Sequence, residues 1–211
     1  MKIYNFFDKF LHITFIRRKF FLRKNRKRLK NKDFSLICCN CNGGHISHDL
    51  GLRFNSPFVN LRLNAKNFLL LLKDFDHYMN CELKFLDNND NTYPVGDLGG
   101  LIIHFVHYEN KEIALQKWNE RKKRINKDNL FVLFADRYGC THEIMKEFDE
   151  LPYKNKILFT NKKNTGIKSC FYISGFEDEE SVGICSEFMK KKPWLRYLDQ
   201  FDYVKWFNGG C

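Results

Sequence analysis

The six residues Leu130-Phe131-Val132-Leu133-Phe134-Ala135 carry no polar side chain, and any fold of this chain has to be built around them. A strand with one wet face alternates polar and apolar residues; an unbroken apolar run of this length belongs in a sheet covered on both faces. Shorter apolar runs predict further strands at 34–39, 58–63, 83–86, 101–107, 156–160 and 170–173. Between them the period changes. The spacing predicts a helix over 64–78 capped by Asn64, with Phe68, Leu71, Leu72 and Phe75 inward. It predicts another over 109–125, whose basic end suits a helix C-terminus, and a third over 141–150. Strands alternating with helices imply an α/β fold: a single domain with a mostly parallel sheet flanked by helices in Rossmann-like layers. The aromatic tail from Pro193, with Trp194, Tyr197, Phe201, Tyr203, Trp206 and Phe207, is expected to pack against it.

The domain is expected over 34–211, behind a basic aromatic arm at 1–33. Length agrees, since 211 residues bury one substantial core but not two domains and a linker. The net charge of +11 first suggests nucleic acid, but residues 1–33 hold 12 Lys or Arg against two acids, Asp8 and Asp33. The remaining 178 residues carry 24 basic and 23 acidic side chains, so the domain has no basic excess and nucleic acid is not the expected partner. In the arm, Phe6, Phe7, Phe10, Leu11 and Phe15 precede a polybasic run, the composition of a segment lying on an anionic inner-leaflet surface. A solvated tail and a helix packed on the domain are the alternatives. Its longest uncharged run, 10–16, is too short for a secretory signal or a bilayer span, which implies a cytoplasmic protein, peripheral at the inner membrane if the arm binds lipid. In that compartment the thiols of the eight cysteines are expected to be mostly reduced.

Ligands of parallel α/β sheets bind beyond the carboxyl ends of the strands. That rule marks three places: the turn after Cys39, the stretch from His104 to Tyr108, and Asp136-Arg137-Tyr138-Gly139-Cys140. At the first, Cys38 and Cys41 have C-x-x-C spacing with His45 and His48 behind, yet Cys38 and Cys39 belong to a buried strand and no second ligand pair follows. No metal is expected. Cys41, just past the strand in a glycine-rich turn, is the candidate nucleophile if its thiol pKa is lowered, with His45, His104 or His107 as base. His104 and His107, three apart on the predicted strand, would face opposite sides. Packing and hydrogen bonding alone would also explain these residues. The chain has no Walker A, G-x-G-x-x-G, G-x-S-x-G or H-E-x-x-H motif, and Asp87-Asn88-Asn89-Asp90 reads as a turn rather than a D-x-D site.

Several segments together carry a resemblance: Asn40-Cys41-Asn42-Gly43-Gly44, Asp49-Leu50-Gly51-Leu52 with Asn55-Ser56-Pro57, and Tyr93-Pro94-Val95-Gly96. Ile103-His104-Phe105-Val106-His107-Tyr108, the run from Trp118 to Asn126, and Leu151-Pro152-Tyr153-Lys154-Asn155-Lys156 extend it. From Phe34 onward the chain resembles a bacterial family described as exopolysaccharide biosynthesis proteins and sometimes as acetyltransferases. The resemblance implies a shared turn at Asn40, Cys41, Gly43 and Gly44, together with Ser56, His107, Tyr108, Trp118, Arg121, Arg124 and Asn126; the basic arm and Cys38-Cys39 lie outside it. The Asn-Cys turn is also similar to one in a capsule-biosynthesis acetyltransferase family that binds coenzyme A. The expectation is a transferase of surface-polysaccharide biosynthesis moving an acyl group to a sugar or glycan acceptor. No cofactor is bound, and a coenzyme A thioester is the donor. Cys41 or a nearby backbone N–H acts at the acyl carbonyl and His107 or His104 takes the hydroxyl proton. Asn40, Gly43, Gly44, Ser56 and Tyr108 are expected at the substrate; Arg121 and Arg124 meet the donor phosphates or merely form a solvated helix end. A non-catalytic glycan or nucleotide-sugar binding module and a glycosyltransferase lacking D-x-D are the alternatives.

Overall fold

The computed structural model describes the backbone of residues 2–87 and 91–210, with side chains from His12 onward. The Phe6, Phe7, Phe10 and Leu11 side chains and the Asn88-Asn89-Asp90 turn therefore lie outside the described residues. Helix α1 (Lys2–Arg28) leads into strand β1 (Ser35–Cys38), and α2 (Asn42–Leu50) follows at once. An irregular stretch then reaches α3 (Ala65–Lys73) and α4 (Phe75–Asn80). Strands β2 (Leu83–Phe85), β3 (Val95–Leu98) and β4 (Leu101–His104) precede α5 (Lys111–Lys122), β5 (Leu130–Ala135), α6 (His142–Glu150), β6 (Asn155–Thr160) and β7 (Cys170–Tyr172). The chain ends in α7 (Tyr203–Phe207).

The expected α/β architecture is present as a single domain. Its main sheet has the order β1-β5-β6-β7, parallel throughout, with Ser35 beside Leu130 and Phe131 beside Asn155. The apolar run that constrained the fold is β5, an inner strand of that sheet. Phe131 and Phe134, three apart, point to opposite faces. Phe131 meets Trp206 and Phe207 of α7, while Phe134 meets Phe68 of α3 and Phe148 of α6. Helices thus cover both faces, and the aromatic tail packs as expected.

A second, antiparallel sheet has the order β2-β3-β4. Strand β3 was not expected, because Pro94, Gly96 and Asp97 interrupt any apolar run there. It forms because Gly99 and Gly100, both at positive φ, close a two-residue hairpin and Asp97 Oδ1 accepts the Gly100 N–H at 2.6 Å. The predicted strand at 101–107 is consequently shorter, and His107 lies beyond it in a turn, so the opposite-face argument for His104 and His107 does not apply.

Two further expectations need correction. The stretch 58–63 is not a strand: Pro57 supplies no donor and Asn60 sits at φ 60, which leaves one bridge, between Arg62 and His104. Leu63 N–H instead donates to Cys39 at the end of β1, at 2.9 Å, so this link spans the two sheets. Its apolar residues are buried anyway, Phe58 against Trp118 of α5. The helix predicted over 64–78 is broken at Asp74, whose φ of −139° ends α3 while its side chain caps α4.

Most of the arm is α1, and from Arg18 onward this helix packs on the domain. Arg18 bridges two buried carboxylates, Asp49 of α2 and Asp199. Asn25 Nδ2 donates to Tyr203 Oη at 3.4 Å, Leu29 is buried, and Asn208 Oδ1 accepts the Lys30 N–H at 2.8 Å.

Candidate functional site

The site begins at the end of β1. Asn40 Oδ1 accepts the Asn42 N–H at 3.0 Å and turns the chain directly into α2. The expected open, glycine-rich turn is therefore mostly helix, with Cys41 as its N-cap and Gly43 and Gly44 inside it. These glycines answer a demand for space. A Cβ on Gly43 would stand 2.8 Å from the Cys38 Cβ, and one on Gly44 would stand 2.9 Å from Asn60 Oδ1. Without side chains there, α2 lies close against β1 and the 58–63 link.

A cleft of about 340 Å³ opens at the N-terminus of α2. All three places marked by the strand-end rule meet in it: Asn40, Cys41 and His45 after β1, His107 after β4, and Arg137 and Tyr138 after β5. Arg62 enters from the link between the sheets, and Ile184 and Ser186 form part of the wall. Tyr138 organises the cations. Its backbone is held at φ 57, with its carbonyl accepting the Ala65 N–H at 3.0 Å. The Arg62 and Arg137 guanidiniums lie 5.2 and 4.9 Å from the centre of its ring. Arg62 Nη2 also donates to Tyr93 Oη at 3.1 Å, and Arg137 Nη1 to the Gly183 carbonyl at 3.4 Å.

Among the described residues no carboxylate lines the cleft. Asp136, next to Arg137, accepts from Thr160 Oγ1 and from the Val182 N–H, at 2.6 and 2.7 Å. Burial raises its pKa against those hydrogen bonds, and it ties the C-terminal wall to β5. Two guanidiniums and two imidazoles facing one cavity, beside the N-terminus of α2, give it a lining of hydrogen-bond donors and positive charge that suits an anion.

The titration of the candidate groups departs from expectation at Cys41. Its thiol is pushed up to about 11 by burial and by the neighbouring Cys38, against the pull of Arg62. The expected lowering does not occur, and among the described residues no hydrogen bond links its Sγ to a histidine. Burial, and then the charge of Arg196, hold His45 below the ordinary imidazole value, with Asp49 acting the other way; the ring is neutral at neutral pH. Burial and Arg62 likewise lower His104.

The remaining predicted residues sit outside the cleft. His104 pairs through its backbone with Arg62, and its own Nδ1 is buried without a partner. Ser56 accepts the Phe58 N–H at 3.1 Å. Tyr108 donates to the Val59 carbonyl at 2.9 Å and accepts from Arg121 at 2.6 Å, which fastens α5 to the 58–63 link. Arg124 reaches the Phe54 carbonyl and pairs with Glu120 at 3.6 Å. Arg121 and Arg124 thus serve packing, and Arg62 and Arg137 are the arginines of the cleft. Neither was singled out from sequence, although Arg137 lies in a segment that the strand-end rule had marked.

The chain is similar, at 43% identity over 207 residues, to a Haemophilus influenzae protein titled "Uncharacterized protein"; the alignment covers 97% of this chain and 98% of that one. Residues 12–208 match the family described as Domain of unknown function (DUF1919), a span that includes most of α1 as well as every cleft residue. The chain belongs to the DUF1919 family.

Proposed function

We propose that the cleft binds the phosphates of an activated donor, and that the protein is a transferase of bacterial surface-polysaccharide biosynthesis moving an acyl group from coenzyme A to a sugar hydroxyl. One observation carries the reading: Arg62 and Arg137, set on the Tyr138 ring beside the N-terminus of α2, face a cleft with no carboxylate among its described lining. Phosphate oxygens match that arrangement in charge and in hydrogen-bonding direction. The sugar acceptor and the polysaccharide setting rest on the resemblance carried by the Asn40–Gly44 and Ile103–Tyr108 motifs.

Transfer is direct in this reading. A thiol with a pKa of about 11 is protonated at neutral pH, so Cys41 stands beside the acyl group and does not attack it. His45, held neutral, takes the proton of the acceptor hydroxyl as the sugar oxygen bonds to the acyl carbon and the thioester C–S bond breaks. Returning that proton to the departing sulfur releases coenzyme A as its thiol. His107, on the same cleft, is the second candidate for that proton transfer.

Calorimetric titration of the purified chain with coenzyme A, acetyl-coenzyme A and sugar nucleotides tests the reading. Arg62→Gln and Arg137→Gln should each weaken donor binding by about tenfold or more, as loss of a charge-assisted hydrogen bond does. Unchanged affinity in both variants refutes the assignment of the cleft. A nucleotide sugar offers a similar diphosphate, so binding of that class alone moves the case to glycosyl transfer. Binding without turnover on any acceptor leaves a non-catalytic module.

A further inference from the structure

Helix α1 has two unlike faces. One is committed to the domain through Arg18, Asn25 and Leu29, spaced so that they share a side. The opposite face carries Ile13, Ile16 and Phe20, at i, i+3 and i+7, with 51%, 38% and 66% of their surfaces exposed. Phe15, at 67%, adds a further ring on the flank. Beside this apolar stripe stand Lys19, Arg23, Lys24 and Lys27, all exposed and, among the described residues, none paired with a carboxylate. Between Asp8 and Asp33 the chain has no acidic residue. Arg18 and Arg28 spend their charge on Asp49, Asp199 and Asp202, so the outer cations are the ones left for a partner.

We propose that this face of α1 lies on an anionic lipid bilayer, with Ile13, Ile16 and Phe20 among the acyl-chain ends of the headgroup layer and the flanking lysines and arginines on lipid phosphates. The inference does not depend on what the cleft binds. A basic helix with an apolar stripe is the pattern of interfacial attachment, and no helix among the described residues is long and apolar enough to cross a membrane. Two other partners fit less well. Nucleic acid would meet the cations but leave three aliphatic and aromatic side chains against its phosphates. A second copy joined through the same face would bring like charges together with no carboxylate to offset them. Because the inner face is fastened to α2 and to the C-terminal segment, the helix is already formed before it meets a surface, and attachment orients the whole domain.

Co-sedimentation of the full chain with phosphatidylcholine vesicles, with and without phosphatidylglycerol, tests this. The protein should sediment with the anionic vesicles only, and added salt should release it. Each lysine or arginine near such a surface changes partitioning by about fivefold, so R23Q/K24Q/K27Q should weaken it by about a hundredfold. F20S should also weaken binding, and I13S/F20S more so, while Lys84→Gln on the far sheet changes nothing. None of these outward-facing changes should lower the melting temperature appreciably, which separates lost binding from lost folding. Failure of wild type to bind anionic vesicles at low salt overturns the inference. So does equal binding by R23Q/K24Q/K27Q, a dimer that F20S dissolves, or selective retention of RNA instead of lipid.

Discussion

Replacing Arg18 by methionine removes the cation shared by two buried carboxylates, whose side chains are 5% (Asp49) and 0% (Asp199) exposed. Breaking a buried ion pair from one side costs about 3–5 kcal/mol, most of it from the charge left behind. Here the loss should fall at the lower end. Arg196 Nε remains 3.5 Å from Asp49, and Asp199 still accepts the Arg196 N–H at 2.7 Å and Tyr203 Oη at 3.1 Å. A loss of about 3 kcal/mol in a chain of this length lowers the melting temperature by about 6–12 °C. The pH dependence supplies the sharper check. Burial already raises the Asp199 pKa and Arg18 holds it down, so removing Arg18 raises it further in the folded state. A group with a raised folded pKa binds its proton more tightly folded than unfolded, so acidification favours the folded variant. The gap between wild type and R18M, measured by thermal melts, should narrow as pH falls from neutrality toward the ordinary carboxylate range. A gap that is constant across that range, or smaller than about 1 kcal/mol at neutral pH, refutes the account of Arg18 as a buried bridge.

Gly43→Ala should destabilise the chain by about 1–2 kcal/mol: the added methyl gains up to about 1 kcal/mol of helix propensity, but overpacking against a Cys38 Cβ that cannot swing away costs more. Cys38→Gly should cost less in the Gly43→Ala chain than in wild type, whereas Cys38→Ala, which keeps the Cβ, should show no such coupling, by thermal melts. Alkylation of Cys41 by iodoacetamide, followed by mass spectrometry of its peptide, should be slow at pH 8, where about one thiol in a thousand is ionised, and should accelerate toward pH 11. A fast reaction at pH 8 would restore Cys41 as a candidate nucleophile. Tyr138→Gly should leave stability within about 1 kcal/mol of wild type, because relief at φ 57 offsets lost packing, yet weaken anion binding by freeing both guanidiniums. Loss of stability with binding retained would reverse the roles assigned to its backbone and ring.

The main sheet was legible because its signal is local. The unbroken apolar run of β5 and the periodic helices around it declare burial without reference to anything distant. Strand β3 was hidden because Pro94, Gly96 and Asp97 interrupt any apolar run there, and only pairing with β2 and β4 makes the segment a strand. The 58–63 link misled for the converse reason. Its residues are buried like a strand's, but Asn60 turns the backbone out of register. In the site, the strand-end rule found the cleft while residue types found only part of its lining. Arg121 and Arg124 look on sequence like phosphate ligands as much as Arg62 and Arg137 do. The difference lies in Tyr108, Phe54 and Glu120 on one side and Tyr138 on the other, and the contacts of Arg121 with Phe54 and of Arg62 with Tyr138 join residues far apart in the chain.

The second sheet accounts for why His107 reached the cleft even though β4 is not part of the parallel sheet. In a doubly wound fold, ligands sit where the chain leaves neighbouring strands in opposite directions, with more parallel strands continuing beyond the first. Here β1 is the edge of the main sheet. The Cys39 carbonyl at its end is taken by Leu63, and Arg62, one residue earlier, pairs with His104 at the end of β4. The antiparallel sheet is therefore docked through a single residue step onto the end of β1, which sets the turn after β4 beside the strand ends. That docking delivers Arg62 and His107 to the cleft together. It follows that a change at the junction, such as Leu63→Pro, which removes the donor to Cys39, should impair anion binding through two cleft residues at once, while the parallel sheet keeps its own register.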